Sequence, residues 1–206
     1  MIAIIDYGVG NLFSLSSSLK AVGADTVITG DPDKIKRADK LILPGVGAFG
    51  DAMNKLKADG LDRLIKNEAE NGKPLLGICL GMQLLFNKSY EFGEYEGLGL
   101  IKGNIVPMAG RIPEKLKIPH IGWNALKIKK KISAFSEIKD GDCVYFVHSF
   151  YADDCEESVA ATTEYGIEIT AAAANGNIVG CQFHPEKSGE TGLSILRAFC
   201  GTEVAK

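Results

Sequence analysis

Leu75-Leu76-Gly77-Ile78-Cys79-Leu80-Gly81-Met82-Gln83-Leu84-Leu85-Phe86 begins as a short apolar run, turns at two glycines that flank a cysteine, and resumes with apolar residues. Four apolar residues followed by a glycine-rich turn predict a buried strand at Leu75 to Ile78, and the continuation predicts a helix over Leu80 to Phe86. A sharp strand-to-helix turn of this kind is the setting of a nucleophile elbow, here with Cys in place of Ser. Flanking glycines leave room for the neighbouring backbone and an incoming carbonyl, and the start of the helix favours a thiolate and offers an N–H to an oxyanion. A buried structural cysteine is the competing reading of Cys79.

Upstream of this stretch the chain alternates strands and helices: strands at Ile2 to Ile5, Val27 to Thr29 and Leu41 to Leu43, and helices from Asn11, from Asp31-Pro32 and over Leu61 to Ala69. Asn11 and Asp31 are suited to cap the first two helices, with Pro32 at a first helical position. Such βαβα order predicts an α/β fold with a largely parallel central sheet flanked by helices. Downstream the pattern changes to strands at Leu98 to Val106, Trp123 to Ile128, Val144 to Tyr151, Val159 to Glu164, Glu168 to Ala174 and Ile178 to Phe183. This C-terminal half is expected to pair mainly antiparallel, with Asn175-Gly176 as a two-residue hairpin turn and a closing helix over Gly192 to Cys200. No repeat or linker separates the halves, so residues 1–206 are expected to form a single domain.

Composition narrows the function classes. The 206 residues carry 23 Lys plus Arg against 26 Asp plus Glu, a net charge of −3, which points to neither a nucleic-acid nor an anionic-membrane partner. The run around Cys79 falls well short of the ~20 apolar residues of a membrane span. The start lacks the basic opening of a secretory signal, so a soluble protein is expected. Five cysteines, odd in number and without a CxxC pair, support neither a disulfide framework nor a zinc site and favour a reducing, cytoplasmic setting. The charged run Lys127 to Lys131 is most simply a solvated strand end, with partner docking as the alternative.

A cysteine nucleophile needs a base, and the chain offers three histidines, His120, His148 and His184. His184-Pro185-Glu186 stands out because it places a carboxylate two residues from an imidazole. Proline disfavours the α conformation before it, so the tripeptide is expected to be extended, with His184 and Glu186 on the same side. Glu186 is then placed to orient the ring, as the third member of a triad does; an ordinary surface turn is the alternative. Gly45-Val46-Gly47-Ala48-Phe49-Gly50 matches a dinucleotide fingerprint, yet the acid expected about 20 residues on falls inside a helical stretch. Those glycines better suit a backbone turned toward an anion, as a second oxyanion donor would be.

Together these segments resemble the class I glutamine amidotransferases. Pro44-Gly45-Val46-Gly47 is similar to that family's oxyanion strand, Gly77 to Gln83 to its cysteine elbow, and Phe183-His184-Pro185-Glu186 to its His and Glu pair. Asp6-Tyr7-Gly8-Val9-Gly10-Asn11-Leu12, Pro119-His120-Ile121-Gly122-Trp123-Asn124 and Lys187-Ser188-Gly189 resemble, more narrowly, the glutaminase subunits of imidazole glycerol phosphate synthases. The resemblance spans essentially the whole chain.

It implies a Cys79 nucleophile, His184 as base and acid, Glu186 as orienting carboxylate, and amides near Val46 and Leu80 as the oxyanion hole. Gly47, Gln83, Ser149 and Phe150 match positions that hold L-glutamine; the family often has Tyr where this chain has Phe150, so a hydroxyl contact there is not implied. No metal or organic cofactor is implied. The resemblance further implies a heterodimer with a (β/α)₈-barrel cyclase that uses the ammonia in histidine biosynthesis, with Asn11, Trp123, Tyr145 and Lys187 at or near the partner face. An oxyanion strand misoriented until the cyclase binds its ligand is also implied, Gly45 and Gly47 permitting the flip. His120 and His148 are left to packing or interface. A cysteine hydrolase working alone on the same scaffold, and a non-catalytic subunit with a relic triad, are the competing readings.

Overall fold

The computed structural model describes residues 1–201; the last five residues of the expected 1–206 span lie outside it. Its elements run β1 (Ile2–Ile5), α1 (Leu12–Ala21), β2 (Thr26–Thr29), α2 (Pro32–Arg37), β3 (Lys40–Leu43), α3 (Phe49–Ala58), α4 (Leu61–Glu70), β4 (Leu75–Ile78) and α5 (Leu80–Leu84). There follow β5 (Phe86–Ser89), β6 (Tyr95–Glu96), β7 (Ile101–Pro107), β8 (His120–Ala125), β9 (Lys127–Ile128), β10 (Cys143–His148) and β11 (Phe150–Asp153). The chain ends with β12 (Val159–Glu164), β13 (Glu168–Asn175), β14 (Ile178–Cys181) and α6 (Gly189–Cys200).

One eight-stranded sheet, ordered β2-β1-β3-β4-β14-β13-β12-β9, carries strands from both halves of the chain. Its first five strands are mutually parallel and the remaining pairings antiparallel. β1 and β4 are buried at every position, as parallel strands covered on both faces must be. Side chains alternate between two cores: Ala3, Ile5, Leu41, Leu43 and Leu75 pack with α2, α3 and α4, whereas Ile2, Ile4, Ile42, Leu76 and Ile78 pack with α1 and α6. The expected α/β architecture with a largely parallel central sheet is therefore present. Asn11 and Asp31 cap α1 and α2 through side chains that accept from Ser14 N and Asp33 N.

Several expectations are corrected. The helix after Cys79 ends at Leu84, because Phe86 starts β5, a strand of a separate four-stranded sheet ordered β11-β7-β5-β6. Trp123 to Ile128 is two strands: β8 pairs with β10 in a two-stranded sheet, while β9 joins the edge of the main sheet. Val144 to Tyr151 likewise divides at Ser149 into β10 and β11, which belong to different sheets. The hairpin turn is shifted by one residue: Asn175 pairs with Ile178, so Gly176 and Asn177 occupy the turn, with Gly176 at φ +57°. The basic run is a solvated strand end, Lys127 bridging Glu164 at 3.3 Å and Lys129 bridging Glu168 at 3.0 Å.

Candidate active site

Three adjacent parallel strands deliver the site. After β3 comes Pro44 to Gly47, after β4 comes Cys79, and after β14 comes His184, so three distant segments converge where neighbouring strands end. In open α/β sheets the carboxyl ends of the strands are where backbone turns outward and ligands bind.

Cys79 has φ +54° and ψ −111°, a conformation costly for any residue with a Cβ and held by its surroundings. Its N–H donates to the Cys181 carbonyl at 2.7 Å, anchoring the turn to β14. The flanking glycines are needed for closeness. A Cβ at Gly81 would overlap the Leu43 carbonyl, and one at Gly77 would lie 2.7 Å from the Gly81 carbonyl.

His184 Nδ1 lies 2.8 Å from Glu186 Oε1, both side chains being 4% exposed. Only part of the expected extended tripeptide is found: His184 is extended, as the residue before proline should be, but Pro185–Lys187 forms a 3₁₀ turn. That turn, rather than a continued strand, brings the carboxylate back beneath the ring. Glu186 Oε2 is buried without a hydrogen-bond partner among the described residues. Burial opposes charge on His184, yet the neighbouring Cys79 sulfur and the hydrogen-bonded Glu186 carboxylate outweigh it and raise the imidazole to about 9. The protonated form is thereby favoured at neutral pH.

A cavity of about 570 Å³ opens beside these groups, lined among others by Val46, Gly47, Cys79, Leu80, Gln83, Ser149, Phe150 and His184. The volume suits a small molecule. Every catalytic, oxyanion and glutamine-binding candidate except the buried Glu186 thus borders one space. Gln83 is itself tied down, its Nε2 donating to the Phe150 carbonyl at 3.3 Å and to Gln182 Oε1 at 3.0 Å. Gly47 has φ +99° and open space around its missing Cβ. Gly45 is different: a Cβ there would meet the Tyr7 hydroxyl at 2.7 Å, so crowding rather than positive φ demands glycine.

Of the partner-face candidates, Trp123 and Tyr145 face each other across β8 and β10 with ring centroids 6.1 Å apart, Trp123 being 55% exposed. Lys187 is exposed in the 3₁₀ turn. Asn11 is exposed at the head of α1, which packs against that turn.

Sequence reasoning missed one lining group, Glu91, and one buried group beside Cys79, Gln182. Glu91 reaches the cavity while its Oε2 accepts from Phe49 N at 2.6 Å, capping α3 from 42 positions away. Burial raises its carboxyl, opposed by that N–H and assisted by Asp51. Gln182, fully buried, links Gln83 to Cys79, its Nε2 lying 3.8 Å from Sγ. Neither has a local sequence signal. Among the described residues no helix is long and apolar enough to cross a membrane, and no three His, Cys, Asp or Glu side chains are grouped to hold a metal ion.

The family model "Glutamine amidotransferase class-I" matches residues 3–201. A protein named imidazole glycerol phosphate synthase subunit HisH, from Caldanaerobacter subterraneus subsp. tengcongensis, is 56% identical over 97% of each chain. Its namesake from Geobacter metallireducens is 52% identical over 96% of each. The chain belongs to the HisH branch of the class I glutamine amidotransferases. The fold agrees with other class members: a solved glutamine amidotransferase superposes with TM-score 0.76 at 17% identity, covering 98% of this chain and 100% of that one. PurLQS from Thermotoga maritima superposes with TM-score 0.74 at 21% identity, covering 97% of both chains.

Proposed function

We propose that this class I glutamine amidotransferase is the glutaminase subunit of an imidazole glycerol phosphate synthase, hydrolysing L-glutamine to L-glutamate and ammonia on a Cys79-His184-Glu186 triad. The observation that carries this reading is the meeting of a strained elbow cysteine with a carboxylate-held imidazole in one cavity. With Nδ1 committed to Glu186, His184 has Nε2 left for Cys79 and for the leaving group.

Glutamine enters with its side-chain amide toward Cys79 and its amino-acid end toward Gln83, Ser149, Phe150 and Gly47. The half-buried Glu91 carboxylate at the same cavity suits the α-ammonium group. The thiolate attacks the amide carbonyl carbon, and the resulting oxyanion is stabilised by backbone N–H groups of Leu80 and Val46. His184 protonates the departing nitrogen, ammonia leaves, and a glutamyl thioester remains. Water that gives its proton to His184 attacks the thioester; collapse returns the sulfur as the leaving group and releases glutamate.

Ammonia serves a biosynthetic step only if it is consumed before it is protonated, so the reading includes a heterodimer with a (β/α)₈-barrel cyclase docked over Asn11, Trp123, Tyr145 and Lys187. The exposed Trp123 has the chemistry of an interface anchor, being large, amphipathic and rigid. Five unpaired cysteines suit a cytoplasmic setting. The mechanism requires no metal or organic cofactor.

The test is glutamate release by the purified chain, first alone and then with a cognate cyclase and its ribotide ligand. Near-silence alone with strong release in the mixture supports the reading; equal release in both identifies an independent hydrolase. Gly47→Ala sharpens the question of the oxyanion strand, since its cost lies in positive φ alone. Undiminished ligand-stimulated turnover in that variant would sink the proposed peptide flip.

A further inference from the structure

The cavity contains a second buried imidazole that the triad does not use. His148 ends β10, Phe150 begins β11, and Ser149 between them is the corner at which the chain leaves one sheet for another. His148 Nδ1 lies 2.8 Å from the Phe150 carbonyl, spanning that corner. The same carbonyl accepts from Gln83 Nε2, and the Ser149 carbonyl accepts from Met108 N at 3.0 Å. The corner is therefore held from three sides, and one of the three holds is an imidazole.

A carbonyl only accepts, so Nδ1 of His148 must carry the proton. A neutral ring then leaves Nε2 as an acceptor, and Nε2 lies 3.1 Å from His120 Nδ1. The His120 ring is stacked between Phe146 and Tyr165, with centroids 5.0 and 4.0 Å away. Its Nε2 lies 3.1 Å from Asn124 Oδ1, which only accepts, while Asn124 Nδ2 donates to the Glu164 carbonyl. A neutral His120 thus has one N–H for two contacts, the Asn124 oxygen and His148 Nε2. Burial disfavours a charge on both rings, pushing His148 to about 4 and lowering His120; the neighbouring imidazoles, His120 and His184, add to the depression at His148. The Phe150 carbonyl alone therefore fixes the His148 tautomer, with the single N–H of a neutral ring aimed at the pocket wall.

We infer that His148 is a positioning residue for glutamine binding, holding its proton on Nδ1 against the Phe150 carbonyl and clamping the Ser149–Phe150 corner of the pocket. The inference rests on the glutaminase reading for its substrate, but its hydrogen-bond logic does not. Because the corner faces the part of glutamine remote from the reacting amide, its loosening weakens ground-state and transition-state binding alike.

Two measurements test it. With only three histidines in the chain, ¹⁵N NMR of the imidazole nitrogens reports each tautomer, and His148 is expected to be protonated at Nδ1. In the cyclase mixture with its ligand, His148→Gln places its donor where Nε2 was and should raise KM for glutamine about tenfold, the equivalent of one lost hydrogen bond. Its kcat should change less than about threefold. His148→Asn keeps a donor at the Nδ1 position and should stay within about threefold of the parent in both constants. A His148 ring protonated at Nε2, or equal behaviour of the two variants, would overturn the clamp. No glutamate release from the unaltered protein would overturn the glutaminase reading instead, and the tautomer would then decide on the clamp by itself.

Discussion

His184 and His148 border the same cavity, are 3% and 5% exposed, and are driven in opposite directions, one to about 9 and the other to about 4. Burial acts against charge on both. The difference lies in the partners: His184 touches a carboxylate and a thiol, whereas His148 touches a carbonyl and another imidazole. At one cavity, the fold thus favours the charged form of one ring and the neutral form of the other. A charged ring suits proton transfer and a neutral ring suits holding backbone, so their partners fit two residues of one type for different work.

The largest expected effect comes from removing the group that the charged imidazole serves. Cys79→Ala should lower glutamate release at least 10³-fold, on the order expected for a lost nucleophile, with an unchanged melting profile; retained turnover would break the assignment of the two rings. Glu186→Gln should cost about 10²- to 10⁴-fold in kcat, by analogy with the loss of an orienting carboxylate elsewhere. It should also bring His184 down, moving the alkaline limb of the pH–rate profile to lower pH; a profile that stays in place would show that Glu186 does not hold the proton.

Stability should show the same opposition with a smaller effect. The His148 pKa is depressed on folding, so below its ordinary value near 6.5 the unfolded chain binds a proton that the native state refuses. Stability should therefore fall by up to about 3 kcal/mol as pH drops from 6.5 to about 4. The His184 pKa is raised, so its contribution is complete below 6.5 and is lost as pH rises toward about 9. Denaturant titrations across pH check both limbs, and a flat acid limb would count against a neutral, buried His148. The smallest effect is expected at Glu91→Gln, which keeps an acceptor for Phe49 N but loses the charge: a several-fold rise in KM for glutamine, with stability changed by less than about 1 kcal/mol.

What was legible in the sequence follows the reach of the forces involved. β1 to β4, the caps at Asn11 and Asp31, and the elbow at Cys79 depend on residues adjacent in the chain, and each is found within a residue or two of its expected place. The helix α3 was not foreseen because Ala48 before it provides no side-chain cap; the acceptor comes from Glu91. The breaks at Leu126 and Ser149 were invisible for a similar reason. Neither segment, 123–128 or 144–151, contains a glycine or proline to mark a stop, and only the change of sheet partner ends the strands. The pairing of His184 with Glu186 was foreseen with the wrong local backbone: after His184 the expected extended segment gives way to a 3₁₀ turn, and the carboxylate still reaches Nδ1 at 2.8 Å. The contact between His120 and His148 depends on strand register, which fixes them as direct cross-strand partners.

The bond from Phe49 N to Glu91 makes one backbone amide a natural gauge of the cavity. While the carboxylate caps α3, that amide is shielded from solvent deuterium. A ligand cation that draws Glu91 inward competes for the same oxygen, so the exchange rate at Phe49 rises or falls with occupancy. The first amide of a helix far along the chain from Cys79 thus reports, without any attached probe, whether the pocket is filled.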